Sequence, residues 1–369
     1  MMKLRYTLLT GILLATGACG GDDEGGTTPD AGVDGATFDA ADEPDATTGT
    51  AARGEYLVKH VMACDDCHSP RTETGMLDET RLLSGVDCLF DVDPKSEGAG
   101  CLSSANLTNH ATGLMTRSDA EILTMLRDGT RPDGSALFDV MPYYLFHNLT
   151  DSDALSIVLY LRTVTGVDHV AAANQAPFDT RPPAPTRPLA DAELPTATGG
   201  GEAAARGRYL AGFPCIDCHT KTTAPGSAFP LDLTVTFGGG RDFPRAALGL
   251  PDFFPEVIYT ANLTPHATGI ENYTIEEIKA VLLQGTDRGG NGVCPPMPVG
   301  PDGPFGGLTD GDATDIATYI KNLPPVDNAI PNGCSVPTEP PPVMSIPLPN
   351  PHMNPGYQRG FARAKAYLP

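Results

Sequence analysis

Hydrophobic positions along the chain fall into short runs with helical spacing, separated by long polar stretches rich in Gly and Pro. Two of these runs open with a capping box and close at a glycine, which predicts a short helix in each place. The boxes are Ser118 with Glu121 and Thr274 with Glu277, and the closing glycines are Gly129 and Gly285.

A second pair of helices is predicted after the acidic starts at Asp151 and Asp310. In both, apolar residues recur at the i, i+4 spacing of a buried stripe. These residues are Leu155 and Leu159 in one helix, and Ile316 and Ile320 in the other. The stretches around Gly54 and Gly207 also have helical patterns, whereas β-strand patterns are few. The predicted fold class is therefore all-α, with small helical domains and long loops.

An internal repeat organises the chain. The segment 53–57 recurs at 206–210, and the segment 105–113 (Ala-Asn-Leu-Thr-Asn-His-Ala-Thr-Gly) recurs at 261–269. The repeat predicts two tandem domains, at 51–168 and 204–328. The Pro/Gly-rich composition of 169–203 predicts a linker, and 329–369 reads as a Pro-rich C-terminal tail.

The N-terminus has the pattern of an export signal, with Lys3 and Arg5 before a short apolar run. Residues 16–19 resemble a bacterial lipobox, which predicts a lipoprotein signal peptide over 1–19 and a lipid anchor on Cys19; an ordinary secretory signal cut elsewhere is the alternative. Residues 20–50 contain nine acids and no Lys or Arg, so we expect a disordered spacer. The predicted location is exported, on the periplasmic side of a membrane.

The overall charge excludes one class of partner. With 24 Lys and Arg against 46 Asp and Glu, the formal net charge is −22 over 369 residues. Nucleic-acid binding requires an excess of basic side chains to displace phosphate counterions, so no nucleic-acid partner is expected.

Each repeat carries the pentapeptide C-x-x-C-H, at Cys64–His68 and at Cys215–His219. Two thiols one helical turn apart suit thioether bonds to one macrocycle, and the following His is placed as an iron ligand. A zinc site and a thiol redox pair are the alternatives. Zinc needs two further ligands, and a redox pair does not require His after the second Cys in both repeats. The motif thus predicts two covalent heme c groups, bound through Cys64, Cys67, Cys215 and Cys218, with His68 and His219 as iron ligands.

The second axial ligand is predicted to be a methionine. Met141-Pro142 and Met297-Pro298 occupy matching positions, 73 and 78 residues after the proximal His. Met/His ligation suits electron transfer at raised potential. Competing ligands are His147 and the matched pair His110 and His266, which we interpret as loop or surface histidines.

Taken together, these motifs resemble class I cytochrome c domains. The likeness is greatest to the multiheme cytochrome subunits of bacterial membrane-bound alcohol, aldehyde and gluconate dehydrogenases. It covers 52–168 and 204–326 and rests on Gly-x-Tyr-Leu, C-x-x-C-H, Ala-Asn-Leu-Thr-x-His-x-Thr-Gly, Met-Pro-Tyr at 141–143, and Leu-Thr-Asp-x-Asp-Ala. Those subunits usually have three heme domains, and the second repeat here reads Met-Pro-Val. The resemblance implies that Asn106, Thr108, Asn262 and Thr264 lie near the heme edge; the alternative, which we favour, is that they only shape a turn.

Two functions follow from this reading. The first is a diheme c-type cytochrome that carries electrons from a periplasmic dehydrogenase to a respiratory acceptor and is not itself an enzyme. The alternative is a diheme enzyme, such as a cytochrome c peroxidase or thiosulfate dehydrogenase, which needs an open or weakly held iron position.

Four further cysteines lie outside the predicted lipid and heme sites. In an exported chain we expect them to form disulfides, and free buried thiols are the alternative. Pairing within each repeat requires no contact across the linker. It predicts Cys88–Cys101 and Cys294–Cys334.

Overall fold

The computed structural model describes residues 48–72, 76–92, 100–223, 230–245, 250, 254–331 and 334–336. The predicted signal peptide, the predicted spacer up to residue 47 and the predicted tail beyond residue 336 lie outside the described residues.

The first repeat contains five helices and a short antiparallel sheet in the described part of the chain. The helices are α1 (Ala51–Tyr56), α2 (Cys64–His68), α3 (Asp119–Asp128), α4 (Tyr143–Phe146) and α5 (Asp151–Thr163). Helix α1 continues into one π-helical turn at Leu57–Val61, and a 3-10 turn follows α2 at Glu79–Arg81. Strand β1 (Phe90–Asp91) pairs with β2 (Cys101–Leu102).

The second repeat has the same order of main helices. They are α6 (Gly201–Ala211), α7 (Cys215–His219), α8 (Ile275–Gln284) and α9 (Asp310–Lys321), with 3-10 turns at Leu233–Val235 and Pro304–Gly307. Strand β3 (Asp242–Pro244) pairs with β4 (Val257–Tyr259), and β5 (Gly292–Val293) pairs with β6 (Ser335–Val336).

The described residues are mostly helical, as predicted, but the three small sheets that they contain were not predicted. Each strand is two or three residues long, which is too short to show an alternating pattern. Two of the ribbons lie beside a disulfide in the structure. Cys101 in β2 is joined to Cys88, and Cys334, next to β6, is joined to Cys294, next to β5. These are the two pairs that the sequence predicts.

The first and last helices of each repeat cross at a glycine. A Cβ atom on Gly54 would lie 1.9 Å from the carbonyl oxygen of Ser156, and one on Gly207 would lie 1.9 Å from that of Asp315. Only glycine permits this approach of α1 to α5 and of α6 to α9. The glycine of the repeated Arg-Gly-x-Tyr-Leu segment is therefore a helix-crossing residue.

The predicted capping boxes are confirmed in α3 and α8, and both helices end at glycines in the left-handed region, Gly129 with φ 63° and Gly285 with φ 70°. The buried stripe is also confirmed for α9, where Ile316 and Ile320 are buried. It is wrong for α5, where Leu155 and Leu159 are only half-buried. The buried face of α5 consists of Ala154, Ile157, Val158 and Leu161.

The two repeats share one hydrophobic core. Phe146 of the first repeat meets Phe213 of the second at a ring-centroid distance of 6.4 Å. His60 Nδ1, in the π-helical turn, lies 3.1 Å from the carbonyl oxygen of Pro304. Both repeats contribute buried side chains to the same cluster, including Ile157 and Ile316.

The segment 169–203, predicted as a linker, lies against both repeats. The backbone N–H of Leu189 donates to Tyr144 O at 2.9 Å, and Asn148 Nδ2 donates to Leu189 O at 2.8 Å. On the other side, Arg208 Nη1 contacts Asp191 at 2.7 Å. Leu189 and its neighbour in the segment, Leu194, are buried. Among the described residues, no helix has the length and apolar character needed to cross a membrane.

Candidate heme-binding sites

Each C-x-x-C-H pentapeptide forms a one-turn helix, which places its two thiols on neighbouring positions of one turn. Helix α2 follows Ala63, which has a left-handed backbone (φ 53°), and α7 follows Pro214. None of the four cysteines, Cys64, Cys67, Cys215 and Cys218, is in a disulfide. The thiols that the sequence assigns to heme are thus kept apart from the disulfide-bonded pairs.

The histidines that end the two pentapeptides make the same hydrogen bond. The Nδ1 atom of His68 lies 2.8 Å from Ala105 O, and Nδ1 of His219 lies 2.8 Å from Ala261 O. Because a carbonyl only accepts, Nδ1 carries the proton and Nε2 keeps its lone pair. Burial lowers the pKa of both imidazoles, which favours the neutral, metal-binding form.

Apolar side chains surround part of each site, because Cys215 belongs to the hydrophobic core and Cys64 packs against it. Burial raises the pKa of the Cys67 thiol to about 11 and that of Cys215 and Cys218 to about 12. It also raises the pKa of Cys64 well above its ordinary value. These thiols are neutral at physiological pH, and an apolar crevice of this kind suits a porphyrin better than a hydrated ion.

The repeated Asn-Leu-Thr segment braces the loop that carries the carbonyl acceptor. Asn106 Oδ1 accepts from the backbone N–H and the hydroxyl of Thr108, at 2.9 and 2.7 Å. Asn106 Nδ2 donates to the carbonyls of Val167 and His169, just after α5, at 2.9 and 3.1 Å. All these groups are satisfied within the chain, which supports the turn-shaping role over direct contact with heme.

Asn262 and Thr264 repeat this brace in the second repeat. Asn262 Oδ1 accepts from the backbone N–H and the hydroxyl of Thr264, at 2.9 and 2.7 Å. Its Nδ2 donates to Val326 O at 2.8 Å. In each repeat the asparagine that follows the carbonyl acceptor, Asn106 after Ala105 or Asn262 after Ala261, is therefore bonded to the segment that follows the last helix.

The two candidate methionine ligands lie in matching tight turns. Tyr143 N donates to Met141 O at 2.8 Å, and Val299 N donates to Met297 O at 3.0 Å. Both methionines are partly buried and pack against the core. Met297 N also donates to Cys294 O at 3.3 Å, which ties this turn to the disulfide-bonded residue. Ligation of iron by Met141 and Met297 stays a prediction.

The competing histidines each have a local hydrogen-bond partner at Nδ1. Nδ1 of His110 lies 2.8 Å from the Thr112 hydroxyl, and Nδ1 of His266 lies 2.9 Å from the equivalent hydroxyl of Thr268. His147 Nδ1 faces the carbonyl of Arg127 at 3.3 Å. These contacts match the interpretation of all three as loop or surface residues.

Sequence analysis missed a polar cluster at the second attachment motif. Asp217, between Cys215 and Cys218, accepts from the Tyr144 hydroxyl at 2.5 Å and pairs with Arg241 Nη1 at 2.8 Å. The sequence shows an acid, Asp217, inside the pentapeptide. The residues around Asp217 do not indicate that it binds the hydroxyl of Tyr144, which lies 73 residues earlier in the chain.

The residues present fit a covalently attached heme. His219 Nε2 is buried and lacks a hydrogen-bond partner within the described chain, as expected for an atom that binds a metal. The same pentapeptide has two free cysteines at thioether spacing, and one of them, Cys215, borders a cavity that is also lined by Leu210, Leu282 and Phe305. We expect Cys215, Cys218 and His219 to hold the group in this repeat, and Cys64, Cys67 and His68 to hold it in the other.

Comparison with known proteins points the same way, although no family model matches the chain. Over 309 residues it is 25% identical to the cytochrome c subunit of a quinone alcohol dehydrogenase from Gluconacetobacter polyoxogenes, a match covering 78% of this chain and 58% of the relative. The subunit of that name from Gluconobacter oxydans is 27% identical over 322 residues, covering 80% of this chain and 59% of the relative. A diheme cytochrome c-type protein of Cereibacter sphaeroides is 30% identical over 120 residues, covering 31% of this chain and 36% of the relative.

The chain spans less than two thirds of the length of the alcohol dehydrogenase subunits that it matches. The aligned part nevertheless includes most of this chain, and the attachment motifs have the geometry described above. The chain is a cytochrome c that resembles the cytochrome c subunits of bacterial quinone alcohol dehydrogenases.

Proposed function

We propose that the protein is a two-heme electron-transfer subunit, built as tandem cytochrome c domains at 51–168 and 204–328. One observation carries this proposal. In both repeats a histidine donates its Nδ1 proton to a loop carbonyl, at 2.8 Å, and directly follows a pair of free cysteines. A heme c bound at each site would supply a one-electron couple.

The residues of the chain provide attachment, orientation and exclusion of water. Hydrogen bonds from His68 and His219 to carbonyls orient the imidazole rings and make Nε2 a better ligand. Thioether bonds from the cysteine pairs fix the group in the apolar crevice. Met141 and Met297 would close the remaining iron position, which leaves no site for a substrate.

Electrons would come from a dehydrogenase, because the relatives that align with most of this chain are named as dehydrogenase subunits. Delivery would be to a respiratory acceptor. We further propose that the protein is exported to the periplasmic side and anchored to a membrane through lipid on Cys19. Labelling with a radioactive fatty acid tests the anchor, and a Cys19→Ser variant that keeps the label would contradict it.

The experiment for the heme sites begins with the stoichiometry of heme per chain, measured as the pyridine hemochrome. We expect two hemes per chain in the unmodified protein, and weaker heme retention in the second repeat alone in the Cys215→Ser and Cys218→Ser variants. Met141→Ala and Met297→Ala should each remove one share of the long-wavelength Met–iron absorption of the oxidised protein while both hemes stay attached. A variant that keeps the full band would show that its methionine is not a ligand.

The alternative is a diheme enzyme. It predicts a high-spin heme that binds cyanide rapidly and supports steady turnover of peroxide or thiosulfate. The carrier is favoured because Met141 and Met297 lie in matching turns, so a methionine is available for the second axial position of each heme.

A further inference from the structure

The Tyr144 hydroxyl connects the two candidate heme sites. Tyr144 lies three residues after Met141, in α4, and its side chain is 1% exposed. Its hydroxyl donates at 2.5 Å to Asp217 Oδ1, inside the attachment pentapeptide of the other repeat. One hydrogen bond therefore joins the ligand loop of the first site to the motif that holds the second.

Asp217 is the centre of a small charged cluster. Arg241 Nη1 lies 2.8 Å from Asp217 Oδ1 and donates to the backbone carbonyl of the same residue at 2.5 Å. Arg241 is mostly buried, with a side chain 13% exposed. The carboxylate is thus held between a cation from its own repeat and a neutral hydroxyl from the other.

The arrangement is one-sided. The first repeat has Asp66 at the position equivalent to Asp217, and it is paired with Arg71 Nη2 at 3.3 Å. The position equivalent to Tyr144 in the second repeat is Gly300, which has no side chain to return the contact. The two motifs therefore have a similar acid–base pair, and the acid of the second motif also receives the Tyr144 hydroxyl from the other repeat.

We propose that Tyr144 is a positioning residue that couples the two heme sites. Its hydroxyl fixes the position of the Asp217 carboxylate and reduces the effect of that negative charge on the second heme. This proposal rests on the proposed two-heme function. A carboxylate near iron favours the oxidised form, which carries one more positive charge, and a donated hydrogen bond disperses that carboxylate charge. Loss of the hydroxyl should therefore lower the potential of the second heme and leave the first nearly unchanged.

The test compares Tyr144→Phe with Tyr143→Phe as a matched control. Tyr143 is equally buried, but its hydroxyl donates to Asp139 at 2.8 Å and accepts from Thr186 N at 2.8 Å. Both substitutions remove one buried hydroxyl from the same short helix, and only the first removes the contact with Asp217. Spectroelectrochemical titration of the purified, heme-loaded protein gives the two potentials, assigned with Met141→His and Met297→His variants.

In Tyr144→Phe, we expect the ferrous-to-ferric ratio of the second heme at fixed applied potential to fall about threefold to tenfold; tenfold corresponds to about 59 mV for one electron. Asp217→Asn should shift the same ratio in the opposite direction, and Tyr143→Phe should leave it unchanged. Two hemes per chain with an unshifted second potential, or an equal shift in Tyr143→Phe, would overturn the coupling alone. Fewer than two hemes in the unmodified chain would overturn the proposed function and this proposal with it.

Discussion

The hydroxyl of Tyr209, in the second repeat, donates to Asp153 Oδ2, in the first, at 2.8 Å. The same hydroxyl accepts from Thr150 N, at the start of α5, at 3.2 Å. The relationship is reciprocal, because Tyr56 donates to Asp312 at 2.5 Å and accepts from Thr309 N at 3.1 Å. Each repeat therefore inserts a tyrosine at the N-terminus of the last helix of the other.

We expect Tyr209→Phe to lower the free energy of unfolding by about 1–2 kcal/mol, because a hydrogen bond to a carboxylate across the repeat interface is lost. Asp153 keeps Arg53, whose Nε lies 2.9 Å away, so the carboxylate stays paired. Urea unfolding of Tyr209→Phe, Asp153→Asn and the double variant measures the coupling between the two residues. Additive effects in this cycle would show that the contact contributes nothing to stability.

Stability should also fall at alkaline pH. Burial, with the hydrogen bond to Asp312, raises the pKa of Tyr56 to about 12 from an ordinary value of 10.0. Above pH 10 the unfolded chain releases this proton and the folded chain does not, so unfolding becomes easier as pH rises from 10 toward 12. The loss attributable to Tyr56 should be about 1–2 kcal/mol. Urea unfolding of the wild type and Tyr56→Phe at pH 8 and pH 11 checks this, and an equal pH dependence in both would contradict it.

Local signals predicted the local parts of this fold. The Ser118 box makes its own hydrogen bonds with Glu121, and Gly129 supplies the left-handed backbone that ends the helix, so both ends of α3 could be predicted from residues 118–129 alone. By contrast, two apolar residues one turn apart did not define the face of α5, since Ile157 and Val158 on the other side are the buried ones. The buried face of a helix depends on the elements that pack against it, and the local sequence pattern does not show which elements these are.

The same limit applies to the sites. The pentapeptide ending in His219 can be recognised from five consecutive residues, and Met297 can be recognised because it matches Met141 in the other repeat. The contact of Tyr144 with Asp217 joins residues 73 positions apart, and the Tyr209 contact crosses the repeat interface. The first contact has no counterpart, because the position equivalent to Tyr144 is Gly300. The Tyr209 contact does have one, between Tyr56 and Asp312, but the repeated segments alone do not indicate that these residues meet across the interface.

The brace at Asn106 gives a prediction about the first site. Asn106→Ala removes hydrogen bonds to Thr108 and to the carbonyl of Val167, and it leaves buried polar groups without partners. We expect a loss of about 2–3 kcal/mol of unfolding free energy, measured by urea denaturation. Asn109→Ala is the control, because Asn109 makes one side-chain bond, to Arg162 O at 3.2 Å, and should cost less than about 1 kcal/mol.

The two disulfides should differ in their contribution to stability. They close loops with sequence separations of 13 for Cys88–Cys101 and 40 for Cys294–Cys334. Chain entropy gives about 3 kcal/mol for the shorter loop and about 4 kcal/mol for the longer. Replacing both members of each pair with Ser and measuring urea unfolding tests the order.

Peptide mapping without reductant tests the disulfide pairing itself. A peptide that joins Cys88 to Cys294 or Cys334, or alkylation of all four cysteines without reduction, would contradict the assignment.

The segment 169–203 has a mechanical consequence. It forms hydrogen bonds with Asn148 of the first repeat and with Arg208 of the second. The segment therefore holds the two repeats in a fixed arrangement and does not act as a flexible linker. The two proposed heme groups, one in each repeat, would then keep a constant separation. Electron exchange between them would then proceed at a rate set by distance and driving force, with no waiting time for one half of the molecule to swing toward the other.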